Sequence, residues 1–186
     1  MSIKLKRKLF SISEYHQLAK AGMLHESEKV ELLGGEIIYM SPIGSHHVAC
    51  VNRLNHFLQK KLGDQFIISV QNPLSLPPFS EPEPDLAILT YRPDFYAKKL
   101  AGQEDIHLVI EVSDTTLEKD VTVKGPIYAR AQIPEYWVID LAKGGVIVKT
   151  HPQNGVFQIT QSFQKGEPIH SSTLAISLAW EEIFGE

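Results

Sequence analysis

The stretch DIHLVIEVSDTTLEKDVTVKGPIYARAQIPEYWVID, Asp105 to Asp140, constrains this chain more than any other. It reads as a buried strand over Ile106–Val112, a loop, a helix from about Leu117 to Ala131 and a second buried strand over Glu135–Asp140. The apolar run Ile106, Leu108, Val109, Ile110 ends abruptly in Glu111. A carboxylate at the end of a core strand is costly to desolvate unless it is paired, hydrogen-bonded or bound to a cation. Lys124 follows on the next element, and a second acid, Asp85, sits in an equally apolar run, EPDLAIL.

Bulk properties narrow the classes. At 186 residues, the chain suits a single domain spanning residues 1–186. It divides into an N-terminal helix and hairpin (10–43), a core (44–140) and a C-terminal meander with a helix (141–186). No apolar run approaches a membrane span, and the basic start, Lys4 to Lys8, is followed by no apolar signal core. A cytoplasmic location is the expectation. The single Cys50 forms no internal disulfide, excludes a Cys-rich zinc site and reads as a packed helix residue. A formal charge of −4 argues against a general nucleic-acid binder, although a local basic strip or bound metal can offset clustered acids.

Local signals place the elements. Ser11 and Glu14 form a capping box that opens a short helix carrying Tyr15 and Leu18 inward, with Gly22 as its stop. Gly34-Gly35 turns a hairpin in VELLGGEIIYMSP, with Glu31 and Glu36 flanking the turn. Ser45 or His46 opens a long helix to about Leu62, whose buried face takes Val48, Val51, Leu54, Phe57 or Leu58, and Leu62. His47 lies in its first turn, where a helix N-terminus attracts anions. QFIISVQ is a strand, and a proline-rich connection leads to the strand beginning at Asp85. On the helix after Glu111, Asp120, Lys124 and Tyr128 share a face at i, i+4 and i+8. Pro126 either kinks that helix or opens a fresh segment as its first residue. Strands near Val146–Val148 and Val156–Thr160 form a meander, and SLAWEEIFGE ends in an amphipathic helix that either packs internally or meets a second copy.

Two acids on core strands with one lysine point to a metal site for phosphodiester hydrolysis. The competing reading is a structural ion pair among Asp85, Glu111 and Lys124. A serine nucleophile is disfavoured because no glycine elbow surrounds Ser113, and the histidines lack zinc-protease spacing.

The order helix, strand, strand with Asp85, strand ending in Glu111, helix with Lys124, strand resembles the core of the PD-(D/E)XK nuclease fold. Pro84-Asp85 matches the PD pair; Glu111-Val112-Ser113 matches the acidic half-motif with Ser in place of Lys, so Lys124 would be a migrated lysine. VELLGGEIIYMSP, His47, PDLAIL, VIEVSDTT, the Asp120–Lys124–Tyr128 ladder and IPEYWVID together resemble the Uma-two family of that superfamily. The resemblance implies an α/β, restriction endonuclease-like domain with a mixed sheet flanked by helices. It implies Mg²⁺ or Mn²⁺ held by Asp85, Glu111 and the Val112 carbonyl, with Lys124 orienting a water or stabilising developing charge. Glu31, Glu36 and His47 are secondary candidates. DNA is the implied partner, and a homodimer suits a two-fold substrate. Two alternatives stand beside this: a catalytically inactive nuclease-fold binding or oligomerisation module, and a hydrolase of small phosphorylated substrates.

Overall fold

A computed structural model describes residues 6–25 and 27–185. Lys4 and Leu5, in the basic start, lie outside the described residues. The centre is a six-stranded mixed sheet in the order β3-β4-β5-β6-β7-β8. Its strands are β3 (Phe66–Val70), β4 (Leu86–Thr90), β5 (Ile106–Ser113), β6 (Glu135–Asp140), β7 (Gly145–Gln153) and β8 (Val156–Phe163). Only the β5–β6 pair is parallel; its neighbours are antiparallel. A parallel pair requires a crossover, and the helical segment 117–130 supplies it.

Both faces of the sheet are covered, so β4, β5 and β6 are apolar on both sides. Helix α2 (Ser45–Leu62) lays Cys50, Val51, Leu54 and Leu58 on Leu86, Ile88, Leu108, Ile110 and Trp137. The opposite face carries Ala87, Leu89, Val109, Tyr136 and Val138 against Ile127 and Tyr128. Each fully buried large side chain here contributes about 1.5–3 kcal/mol of transfer free energy. Strand alternation also puts Glu111 and Ser113 on the second face, one residue out of phase with Ile110 and Val112.

Several expectations meet their structure here. Helix α1 (Ile12–Lys20) begins with both capping-box bonds, Ser11 N–H to Glu14 and Glu14 N–H to Ser11 Oγ, and its Tyr15 and Leu18 are half-buried. The hairpin β1 (Val30–Leu33) and β2 (Glu36–Tyr39) turns through Gly34 and Gly35, both at positive φ. At Gly35 a Cβ would sit 2.7 Å from Leu9 Cβ, so the position admits no side chain. Val48 departs from expectation: it is exposed, because the helix turns His47, Cys50 and Leu54 towards the sheet instead.

Pro126 stands second in a fresh helical segment, one residue from the first position expected for it. α3 (Leu117–Lys119) widens into a π turn over Asp120–Lys124, then continues as α4 (Gly125–Arg130) with Pro126 in its first turn. A proline ring clashes with the carbonyl four residues back and offers no N–H. The wider turn moves that carbonyl away, and the Gly125 N–H donates five residues back to the Asp120 carbonyl. The direction of Lys124 survives.

At the C-terminus, the bridge of β9 (Ile169–His170) with β10 (Ser177–Leu178) leads into α5 (Trp180–Phe184). Leu178, Trp180 and Ile183 are buried in the core beside α2. Their apolar face is used within the chain and is not available to a second copy.

Candidate active site

Asp85 precedes β4 by one residue rather than standing within it, and Glu111 is third from the end of β5. With Leu86 opposite Ile110, the register carries Asp85 alongside Glu111 at one end of the sheet. There they line a cavity of about 130 Å³ together with Glu31, His47, Val112 and Lys124.

Each carboxylate is held by named donors. Asp85 Oδ2 accepts the Val112 N–H at 2.8 Å and lies 3.0 Å from His47 Nε2. Its Oδ1 accepts a longer bond of 3.3 Å from Gln71. Glu111 Oε1 accepts Lys124 Nζ at 2.9 Å and the Tyr128 hydroxyl at 2.8 Å. Among the described residues no donor reaches Glu111 Oε2. Lys124 also pairs with Glu31 Oε2 at 2.9 Å, and Lys119 with Glu31 Oε1 at 3.2 Å. Asp120 Oδ2 is anchored by the Ser113 and Thr116 hydroxyls at 2.7 and 2.6 Å.

The electrostatics are unbalanced. Six carboxylates line the cavity (Glu31, Glu83, Asp85, Glu111, Asp114 and Asp120) against Lys119, Lys124 and His47. Burial pushes the Glu111 carboxyl up to about 8; Lys124 pulls against this and the surrounding acids add to it. Burial alone would lower Lys124, but Glu111 and Glu31 outweigh it and hold the ammonium charged. The bond to Asp85 raises His47. Burial, then Glu31, raises Glu83. His47 Nδ1 is buried without a hydrogen-bond partner.

The fold therefore brings together Asp85, Glu111, Lys124, Val112, Glu31 and His47. It does not bring Glu36. That residue pairs with Leu33 beside the turn, two residues further along the ribbon than the Glu31–Ile38 pair, and meets Arg7 at 2.6 Å on the surface. Sequence reasoning missed Glu83, Lys119 and Gln71. Glu83 had a usable signal, lying two residues before Asp85 in an extended EPEPD run. Lys119 had none, because its partner Glu31 is 88 residues away.

A mixed sheet with helices on both faces, carrying acids at the ends of neighbouring strands and a lysine on the crossover helix, defines a restriction endonuclease-like nuclease fold. The chain belongs to the Uma2 family, described as "Putative restriction endonuclease", whose profile matches residues 12–181. Among solved structures it is similar to a crystal structure from Anabaena variabilis, described as a putative nuclease belonging to DUF820. That similarity has a TM-score of 0.69 and 18% identity, and covers 95% of this chain and 98% of the other. No curated protein matches the chain.

Proposed function

We propose that the cavity is a divalent-metal-dependent site that hydrolyses phosphodiester bonds in DNA. The observation carrying this reading is the surplus of carboxylates around Lys124 in a cavity at the ends of β4 and β5. Isolated charges of one sign are not retained in such a place without compensation.

The donor set fits a hard divalent cation. Asp85 and Glu111 offer carboxylate oxygens, Glu111 Oε2 is free of donors within the described residues, and the Val112 carbonyl would be a third protein ligand. Among the described residues no three or more His, Cys, Asp or Glu side chains are grouped so as to hold a metal ion, so the set would rest on two carboxylates. Mg²⁺ commonly binds through one or two carboxylates, with water and substrate phosphate completing its shell. When bound, such an ion neutralises phosphate charge and lowers the pKa of a coordinated water.

The chain's own residues orient this chemistry. His47 and the Val112 N–H fix Asp85; Tyr128 and Lys124 fix Glu111. Glu31 positions Lys124 and shares its charge. An ammonium has three donors, and two are taken by Glu31 and Glu111, leaving one for water or a phosphate oxygen. Lys124 stays protonated, so it stabilises developing negative charge and is not the base. In the reaction, water oxygen bonds to phosphorus as the phosphorus–oxygen bond to the leaving deoxyribose breaks. One proton leaves the water, and the departing oxygen gains one from solvent.

Cleavage assays with Mg²⁺ or Mn²⁺ test this. The native protein cuts DNA, and chelation stops it. Asp85→Asn, Glu111→Gln and Lys124→Ala lower the rate at least about 10²–10³-fold, the range for removing one preorganised charge-stabilising group. Unchanged rates in the folded, purified variants overturn the assignment.

A further inference from the structure

A second hollow of about 500 Å³ adjoins the catalytic cavity and shares Met40, Ser41, Pro42, Ile43, Glu83 and Asp85 with it. Its outer wall adds Lys29, Tyr39 and Gln71. The volume falls in the usual range for small-molecule pockets. Tyr39 and Ile43 are exposed apolar side chains, at 70% and 48%; Tyr39 lines this hollow, and Ile43 stands where it meets the first cavity. The Tyr39 ring is nonetheless held in place, because its hydroxyl donates to Glu28 at 2.9 Å. Gln71 adds an independent mark: a non-glycine residue at φ +51, held there by its N–H to the Asp85 carbonyl and its side-chain bond to the Asp85 carboxylate. Strained backbone of this kind concentrates at ligand sites.

We infer that this hollow receives one unstacked nucleobase next to the scissile phosphate, so that the substrate is single-stranded or locally unpaired DNA. This deepens the nuclease reading and rests on it. An exposed, oriented tyrosine is a stacking platform for any base, since every base has a π face. Met40, Pro42 and Ile43 give the base apolar surface, and the Gln71 amide keeps donor and acceptor capacity for a base edge. A neutral base is not repelled by Glu83, whereas its phosphate is directed to the cavity where the cation sits. Access argues the same way. Glu111, Lys124 and Glu31 are all under 5% exposed at the base of a small cavity. A duplex presents its phosphates on a broad convex surface, whereas a strand splayed onto Tyr39 can lower one into the hollow.

The experiment compares binding of a 12-nucleotide single strand and a hairpin duplex, both carrying 2-aminopurine, to the native full chain in Ca²⁺, with cleavage measured separately in Mn²⁺. The single strand binds at least tenfold tighter, and its fluorescence is quenched. Tyr39→Ala weakens single-strand binding about tenfold, in line with one lost base–aromatic stack, and Tyr39→Phe retains it. Equal binding of strand and duplex, no binding of either, or no effect of Tyr39→Ala overturns the proposal. So does a change of oligomeric state in Tyr39→Ala, which would mark the exposed face as a protein contact. The two readings fail separately. Cleavage that ignores Tyr39 sinks the base site alone; Tyr39-dependent binding of single strands without any cleavage sinks the catalytic reading alone.

Discussion

Two buried glutamates on adjacent strands of this sheet have opposite fates. Glu135 opens β6 and is wholly buried, yet it accepts six hydrogen bonds: one from Trp137 Nε1, and five from the hydroxyls and backbone N–H groups of Ser171, Ser172 and Thr173. Among the described residues no cation pairs with it. Glu111, on β5, has one satisfied oxygen, one oxygen that no donor reaches among the described residues, a lysine beside it and other acids around it. Both meet the description of a buried acid on a core strand. Burial alone therefore does not mark a site; what sets Glu111 apart is an oxygen that no donor reaches among the described residues, on a residue that lines a cavity. Glu135 is a staple joining the 171–173 loop to the sheet, and Glu111 is the acid that the proposed site would use.

Removal of each of the two carboxylates gives the sharpest contrast. Glu111→Gln abolishes cleavage while thermal stability holds near neutral pH and rises above about 8, since the amide replaces an acid whose anion is disfavoured by burial. Glu135→Ala leaves activity per folded molecule intact but costs about 3–5 kcal/mol, because its six donors are stranded. Chemical denaturation alongside cleavage assays checks both, and a reversed pattern breaks the comparison. Next in size, Lys124→Ala strands Glu111 and Glu31 together and loses both activity and about 3 kcal/mol or more of stability.

The pH dependence separates the two acids further. Glu111 titrates at about 8 in the folded chain against an ordinary value of 4.5. Between these values the folded state holds the extra proton, so this group's contribution to stability is present below 4.5 and is lost as pH rises towards about 8. Glu111→Gln should flatten that slope in denaturation curves. Because a cation must displace that proton, Mn²⁺ affinity should rise across the same window, with proton release visible when buffers of different ionisation enthalpy are compared. The smallest effect belongs to the staple. Ser172→Ala removes one of several redundant donors to Glu135, costs about 1 kcal/mol and leaves cleavage untouched.

Much of this was legible in local sequence because local physics fixes it. The Ser11–Glu14 box, the Gly34-Gly35 turn and the apolar runs of β4, β5 and β6 depend on near neighbours. Asp85, Glu111 and Lys124 were legible because charged residues in apolar periodic segments stand out. What escaped depends on contacts distant in sequence or on backbone adjustment. The Glu135 cage draws five of its six donors from residues 36 to 38 positions away. Lys119 gains meaning only through Glu31, and Glu36 loses it through Arg7. The π turn that accommodates Pro126 answers a steric conflict that spacing alone does not resolve. Val48 shows the limit of periodicity: several near-equivalent faces exist on α2, and the packed sheet selects one.

The central claim is that the carboxylate surplus at Asp85 and Glu111 exists to hold a divalent cation. Calorimetric titration of Mn²⁺ into the native protein, Asp85→Asn, Glu111→Gln and Glu135→Gln tests it directly. The account predicts saturable binding to the native chain and to folded Glu135→Gln, and its loss in both site variants. Absence of binding to the native protein, or equal binding in Asp85→Asn and Glu111→Gln, would contradict it.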